Sequence, residues 1–194
     1  MTTLVSTRAS SGTAGLRDLL PEDIPRIADY WLLSPAEFLD SMGIDRARLG
    51  SRADIHRRFS FAIRAGGAAQ GSLALAITLD ESFIGYTLLN QYSAKVNYSH
   101  WHIIDAQLRG CGISTALYPY RIKTYFDLAP ISRLIHQTRT TNVGVNRMLD
   151  KFISVSETKY VENPDGVALP GEFNIRNVTR EDIPRLFSRL SQLP

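Results

Sequence analysis

Between Leu73 and Leu79 the chain alternates strictly, Leu73, Leu75, Ile77 and Leu79 taking turns with Ala74, Ala76 and Thr78. That period of two predicts a β-strand. Asp80, Glu81 and Ser82 make a short connection to the run "FIGYTLLNQYS", so the pair predicts a hairpin. Upstream, "GLRDLL" predicts a short strand and "PEDIPRIADYWL" a helix with Ile24, Ile27 and Tyr30 or Trp31 on one face. "SPAEFLDSMG" predicts a second helix, with Ser34 as N-cap, Pro35 at the first helical position, Glu37 closing a capping box and Gly43 as the stop. "SRADIHRRFSFAIRAGG" predicts a third, ending at Gly66 and Gly67.

Downstream of the hairpin, residues 97–105 predict a strand with Tyr98, His100, His102 and Ile104 on one face and Trp101 and Ile103 on the other. A helix over about 113–127 follows, with Pro119 expected to kink it. "ISRLIHQT" predicts a strand, and in "TNVGVNRMLDKF" the residues Val145, Met148, Leu149 and Phe152 form the apolar face of a buried helix. Strands "SVSETKYV" and "EFNIRNV" around an "NPDG" turn, then a helix from "REDIPRLFSRL", complete the order. The fold class is α/β (α+β), a mixed, mostly antiparallel twisted sheet flanked by helices rather than a pure βαβ repeat. The stretches "LRDLLPEDIPRI" and "IRNVTREDIPRL" match at six of twelve positions. Too little chain follows the second for a tandem array, so the match reads as two strand-to-helix turns built with the same chemistry.

Composition narrows this picture modestly. With 194 residues, 44% hydrophobic and 21% charged, one sizeable core is expected. The expected layout is a disordered tail over 1–14 and a single domain over 15–194. No apolar run approaches the roughly 20 residues of a membrane span, and "MTTLVSTRASSGTAG" has no apolar signal core, so a cytoplasmic protein with no membrane partner is the simplest expectation. The one cysteine, Cys111, excludes an internal disulfide, and the four histidines stand at no metal-ligand spacing. The net charge of +3 is weak support for an anionic ligand, and no dense basic stripe points to nucleic acid.

The chemistry concentrates in "HWHIIDAQLRGCGISTALY". A helix start presents unpaired N–H groups and the positive end of the helix dipole. Gly112 and Ser114 are the positions where a bulky side chain would obstruct a pyrophosphate approaching that backbone, and Ser114 and Thr115 add hydroxyl donors. The dinucleotide fingerprint and the P-loop both fail on residues, the first for want of a third glycine and the second for want of a lysine.

With Arg109, Gly112 and Ser114 in the pattern Arg/Gln-x-x-Gly-x-Gly/Ala, the stretch resembles the GNAT superfamily of acyl-CoA-dependent N-acyltransferases, with Ser114 a departure from Gly or Ala. The resemblance extends over most of residues 15–178. It implies a GNAT-like domain that moves an acetyl or other short acyl group from acetyl-CoA (acyl-CoA) to a primary amine by direct attack. It also implies that the backbone around Leu108, Arg109, Gly110, Gly112, Ser114 and Thr115 holds the pyrophosphate of coenzyme A, that the strand edge at Ile103 and Ile104 pairs with the pantetheine arm, and that Asn142 sits near the thioester. No metal is implied. The tyrosine that many members use as acid falls on Leu149 here.

Two histidines on one strand, His100 and His102, are the candidate bases, with His102 preferred as nearer the pantetheine-pairing end; a structural, hydrogen-bonded pair is the competing reading. His136 is a weaker candidate, and Cys111 as nucleophile lacks an evident base. The acceptor stays open among small amine, antibiotic, peptide N-terminus and lysine, and a homodimer stays open too. A non-catalytic CoA-binding or regulatory module is the alternative function, and nucleic-acid binding through the arginine-rich helix 52–64 a third.

Overall fold

A computed structural model describes residues 3–63, 71–93, 96–164 and 166–193. In chain order the elements are β1 (Thr3–Ala9), β2 (Gly12–Asp18), α1 (Ile24–Leu33), α2 (Ala36–Ser41), α3 (Arg52–Ala62), β3 (Leu73–Leu79), β4 (Ser82–Ser93), β5 (Val96–Ile103), α4 (Ile113–Leu128), β6 (Arg133–Arg139), α5 (Val143–Asp150), β7 (Glu157–Val161), β8 (Gly171–Thr179) and α6 (Ile183–Ser191). They build one sheet of order β1-β2-β3-β4-β5-β6-β8-β7. Every neighbouring pair is antiparallel except β5 and β6. This is the mixed, mostly antiparallel sheet that the alternating runs predict.

Both faces of the sheet are covered, and the parity of β3 shows how. Leu73 and Leu75 pack with Tyr118, Ile122 and Tyr125 of α4 and with Leu149 and Leu186, while Ala74 and Ala76 face Ile24, Ile27, Ile55 and Phe59 of α1 and α3. A row of alanines gives those helices room to sit close to the strand. Leu149 is 1% exposed and Phe152 0%, so the predicted apolar face of α5 is core. At the hairpin tip, Asp80 and Glu81 both take positive φ, 46° and 67°, the pair of left-handed residues that a tight two-residue turn needs. Asp80 offsets that strain by accepting the Thr13 N–H at 2.9 Å.

The structure departs from the sequence reading at two places. Residues 3–9, within the expected tail, form β1, which pairs with β2 from Thr3↔Arg17 to Ala9↔Gly12. The ladder hydrogen bonds, with half-buried Val5 and Ala9 packed against the cluster of Leu16, Ile113 and Leu117, offset the ordering of a largely polar segment. The expected capping box of α2 is absent: Ser34 instead donates to Tyr30 O at 2.5 Å, closing the end of α1, and α2 starts after Pro35 with no side-chain cap. A true capping box stands at α3, where Ser51 Oγ accepts the Asp54 N–H and Asp54 accepts the Ser51 N–H. The expected stop of α3 at Gly66 and Gly67 lies outside the described residues. α4 runs for 16 residues with Pro119 inside it.

The internal echo has a shared physical cause. Asp23 Oδ2 accepts the Leu20 N–H at 2.9 Å, and Asp182 Oδ2 accepts the Thr179 N–H at 2.9 Å. Each Glu-Asp-Ile-Pro-Arg stretch turns a strand into a helix through the same 3-10 turn.

Candidate active site

Strands β5 and β6 pair over three positions only, Val96↔Arg133, Asn97↔Leu134 and Tyr98↔Ile135. From Ser99 to Ile103, β5 keeps its partner in β4 but loses β6, whose residues to Arg139 stay paired with β8. The two strands therefore diverge into a wedge, and one edge of β5 carries unpaired backbone groups, a ready template for an extended, amide-bearing ligand. On the opposite, paired side, Gly85 lets β4 approach β5 closely: a Cβ there would lie 2.3 Å from the His102 carbonyl oxygen.

At the open end of the wedge stands the start of α4. Its N-cap, Gly112, has φ 76° and supplies no side-chain cap, and Gly110 has φ 84°. A Cβ on Gly110 would meet nothing within 4 Å, and one on Gly112 only Ser10 Oγ at 3.6 Å. Here the glycines answer a left-handed backbone and leave the space before the helix free. Half-buried Ser114 and Thr115 occupy the first turn. Ser10 Oγ donates to Cys111 O at 2.8 Å, so the β1–β2 hairpin tip braces the glycine loop. Sequence reasoning missed that contact, because Ser10 falls within the expected tail. The Cys111 thiol faces Gln107 O at 3.7 Å, a backbone acceptor and no base.

Arg109 faces inward rather than toward the open loop. Its Nε and Nη2 donate to the carbonyls of Ile103 and Ile104, each at 3.1 Å, and its guanidinium lies 4.3 Å from the centre of the Phe38 ring. The arginine thus pins the end of β5 to the loop and to α2. It thereby engages the carbonyls of Ile103 and Ile104, the two residues of the strand edge expected to pair with the pantetheine arm. Half-buried Leu108 packs with Ile103 and Ile113 beneath the loop.

The two histidines have different surroundings. His102 is ringed by Trp31 at 4.8 Å, Tyr86 at 5.1 Å and Tyr30 at 5.7 Å between ring centres, and its Nδ1 is 3.2 Å from the Tyr30 hydroxyl. Burial, with repulsion from His100 and Arg109, lowers its pKa to about 3. Burial likewise raises Tyr30 to about 12 against the opposing pull of Arg109. His100, one pleat back, is exposed and pairs in register with Leu88. Dense protein beneath it and the Arg121 guanidinium lower its pKa to about 4, with solvent on its open side screening part of that effect. His100 is thus the ring open to solvent, and His102 is the one packed among aromatic side chains. His136 is buried and bonded to the Tyr118 hydroxyl at 2.9 Å; burial first, then Arg121 and Arg176, hold it well below its ordinary pKa.

Across the wedge, Asn142 caps α5, its Oδ1 accepting the Val145 N–H at 3.3 Å. Beside it, Asn146 is more tightly held: Nδ2 donates to the carbonyls of Arg139 and Asn142, and Oδ1 accepts from Asn174 and Arg176. Among the described residues no group of three or more His, Cys, Asp or Glu side chains could hold a metal ion, and no helix is long and apolar enough to cross a membrane.

No protein-family model and no curated protein sequence matches the chain. Solved structures do. The chain is similar to Mycobacterium smegmatis RimJ in complex with CoA-disulfide at 17% identity and TM-score 0.70, over 96% of this chain and 94% of that one. It is similar to RimL, the ribosomal L7/L12 alpha-N-protein acetyltransferase, in complex with coenzyme A, at 15% identity and TM-score 0.69, over 90% and 98%. The aminoglycoside acetyltransferase AAC(6')-Ib in complex with coenzyme A aligns at 16% identity and TM-score 0.64, over 89% and 98%. At these identities the likeness is one of fold, and that fold is the GNAT acetyltransferase fold.

Proposed function

We propose that this chain, with its GNAT fold, is an N-acyltransferase that moves an acyl group from acyl-CoA to a primary amine by direct attack. The observation that carries the reading is a coincidence in space. The uncapped, unobstructed start of α4 adjoins the unpaired stretch of β5, so one ligand can place a pyrophosphate on the helix N–H groups and run its amide-bearing arm along the strand. That two-part chemistry is coenzyme A's, and three fold neighbours were solved with it bound. The residues that would hold it are the backbone of Leu108–Thr115, the hydroxyls of Ser114 and Thr115, and the β5 edge, with Asn142 across the wedge.

In the reaction the amine nitrogen forms a bond to the thioester carbonyl carbon, the C–S bond breaks, and CoA departs as the thiolate. As its lone pair is spent, the nitrogen's N–H becomes acidic, and His100, neutral at pH 7 and open to solvent, is the side chain placed to accept that proton. His102 supports the position from behind. The acceptor is an amine-bearing small molecule or peptide.

Gly112→Asp tests the placement, because it sets a carboxylate where the pyrophosphate would lie. Calorimetry should show loss of CoA binding while the circular dichroism spectrum is retained; unchanged affinity in a folded variant would remove the loop from the site. A second reading, a CoA-binding module without turnover, is favoured by one observation: Leu149, where a tyrosine acid is expected, is core at 1% exposure. CoA binding without release of free thiol across an amine panel would select it.

A further inference from the structure

Among the described residues three arginines are almost fully buried: Arg17 at 4%, Arg121 at 1% and Arg176 at 0% exposure. Two have carboxylates. Arg17 grips Asp23 through both terminal nitrogens, at 2.6 and 2.9 Å, and Arg176 meets Asp150 at 2.6 Å and Asn146 at 2.9 Å. Arg121 has no carboxylate within 4.0 Å among the described residues. Among the described residues its one side-chain hydrogen bond is a long one, Nη1 to Thr87 Oγ1 at 3.4 Å. The guanidinium lies 4.6 Å from the Trp101 ring centre and 5.3 Å from that of Tyr118. Its Nε, and the neighbouring Trp101 Nε1, are buried donors with no acceptor.

The position of this charge is informative. Trp101 belongs to the unpaired stretch of β5, and Tyr118 is bonded to His136 of β6, just past the last pair Tyr98↔Ile135. Arg121 therefore sits at the closed end of the wedge, on the α4 side. Exposed His100 is on the opposite face of β5, where an amine can approach. On the acyltransferase reading, an acyl group carried along the open edge of β5 would extend toward the closed end of the wedge, the end at which Arg121 lies. Stacked rings stabilise a guanidinium, but a buried charge without a counter-charge is costly, and buried donors without acceptors add to the cost. An anion that arrives with the ligand would satisfy all three.

Resting on the acyltransferase reading, we propose that Arg121, with Trp101 Nε1, holds the carboxylate of a dicarboxylic acyl group, so that the donor is an acyl-CoA whose chain ends in a carboxylate. The reacting bonds are unchanged: the C–N bond forms, the C–S bond breaks, and the carboxylate is a spectator. Calorimetry with CoA, butyryl-CoA and freshly prepared succinyl-CoA, which match in chain length but differ in the terminal charge, tests it. Wild type should bind succinyl-CoA about tenfold or more tighter than butyryl-CoA, tenfold being about 1.4 kcal/mol. In Arg121→Met the ratio should fall to about one, with affinity for CoA itself retained. Equal affinities in wild type, or a preference for butyryl-CoA, overturn the proposal while leaving the acyltransferase reading intact; absence of binding by CoA and both thioesters overturns both. Should Arg121→Met fail to fold, the wild-type ratio decides alone.

Discussion

Acidification should destabilise this protein in a way that His102 makes measurable. In the unfolded chain its imidazole titrates near 6.5; in the folded protein burial, His100 and Arg109 lower it to about 3. Between those values the unfolded state binds more protons than the folded one, so stability falls as pH falls. The contribution is fully present above pH 6.5 and is lost progressively toward pH 3. At pH 5 the loss from this ring is about 2 kcal/mol. Water at its part-exposed edge reduces this, leaving about 1 to 2 kcal/mol to be observed. The groups facing the ring are Tyr30 and Trp31 of α1, Tyr86 of β4, and the nearby His100 and Arg109. None is a carboxylate that could offset the proton. His102→Phe keeps a ring between Trp31 and Tyr86 and removes the titration. Urea unfolding at pH 7.5, 6 and 5 should therefore give a wild-type curve that drops more steeply than the variant's, and the difference in slope, not the absolute stability, is the readout. Parallel curves from pH 7.5 to 5 would refute the claim that this ring is held unprotonated by its surroundings.

Two further outcomes follow from the same contacts. His100→Ala should lower turnover by about 100-fold with CoA affinity retained, whereas His102→Phe should lower it less; steady-state rates of free-thiol release on an amine substrate compare them, and the reverse ranking would return the proton to His102. Asp23→Asn should cost about 3 to 5 kcal/mol because it strands the buried Arg17, while Asp182→Asn, whose partner Arg185 is exposed, should cost about 1 kcal/mol through the lost turn contact; equal losses in denaturant midpoint would show that the two echoed turns are energetically alike.

The elements were legible wherever one face is buried and the other is not. The alternation of β3 and the face of α5 are written in residue spacing because water penalises the wrong parity. β1 was not legible, since its half-buried face, Val5, Thr7 and Ala9, is too short and too polar to stand out in "TLVSTRA", and the rest of its order comes from backbone pairing with β2. The same limit applies to the site. Gly110 and Gly112 declare themselves through the backbone they permit, and the strand of His100 and His102 through its period. Which histidine faces solvent depends on Tyr30, Trp31 and Tyr86, brought from two other elements, and no spacing within residues 97–105 records that. Arg121 was hidden for a further reason: α4 has buried residues on both of its sides, Tyr118 and Tyr125 toward one cluster and Leu117 toward another, so Arg121, like Lys123 two residues on, reads as surface.

Topology explains why the two halves of the proposed site lie together. In a sheet that is otherwise antiparallel, the β5–β6 pair is parallel, and parallel neighbours need a crossover. That crossover is α4, so its N-terminus must lie beyond the C-terminal end of β5. At that same end the strands can part, because β6 is already secured by β8 and β5 by β4. An uncapped helix start and an unpaired strand edge are therefore products of one connection. The short pairing at Val96–Tyr98 sets the depth of the wedge, and the glycines after Arg109 set its open end. Extending the β5–β6 pairing past Ile135 would close the edge and displace Arg121, so a variant selected for that extra pairing should gain stability and lose affinity for CoA together. Gain of one without loss of the other, measured by denaturation and calorimetry on the same protein, would separate what this topology joins.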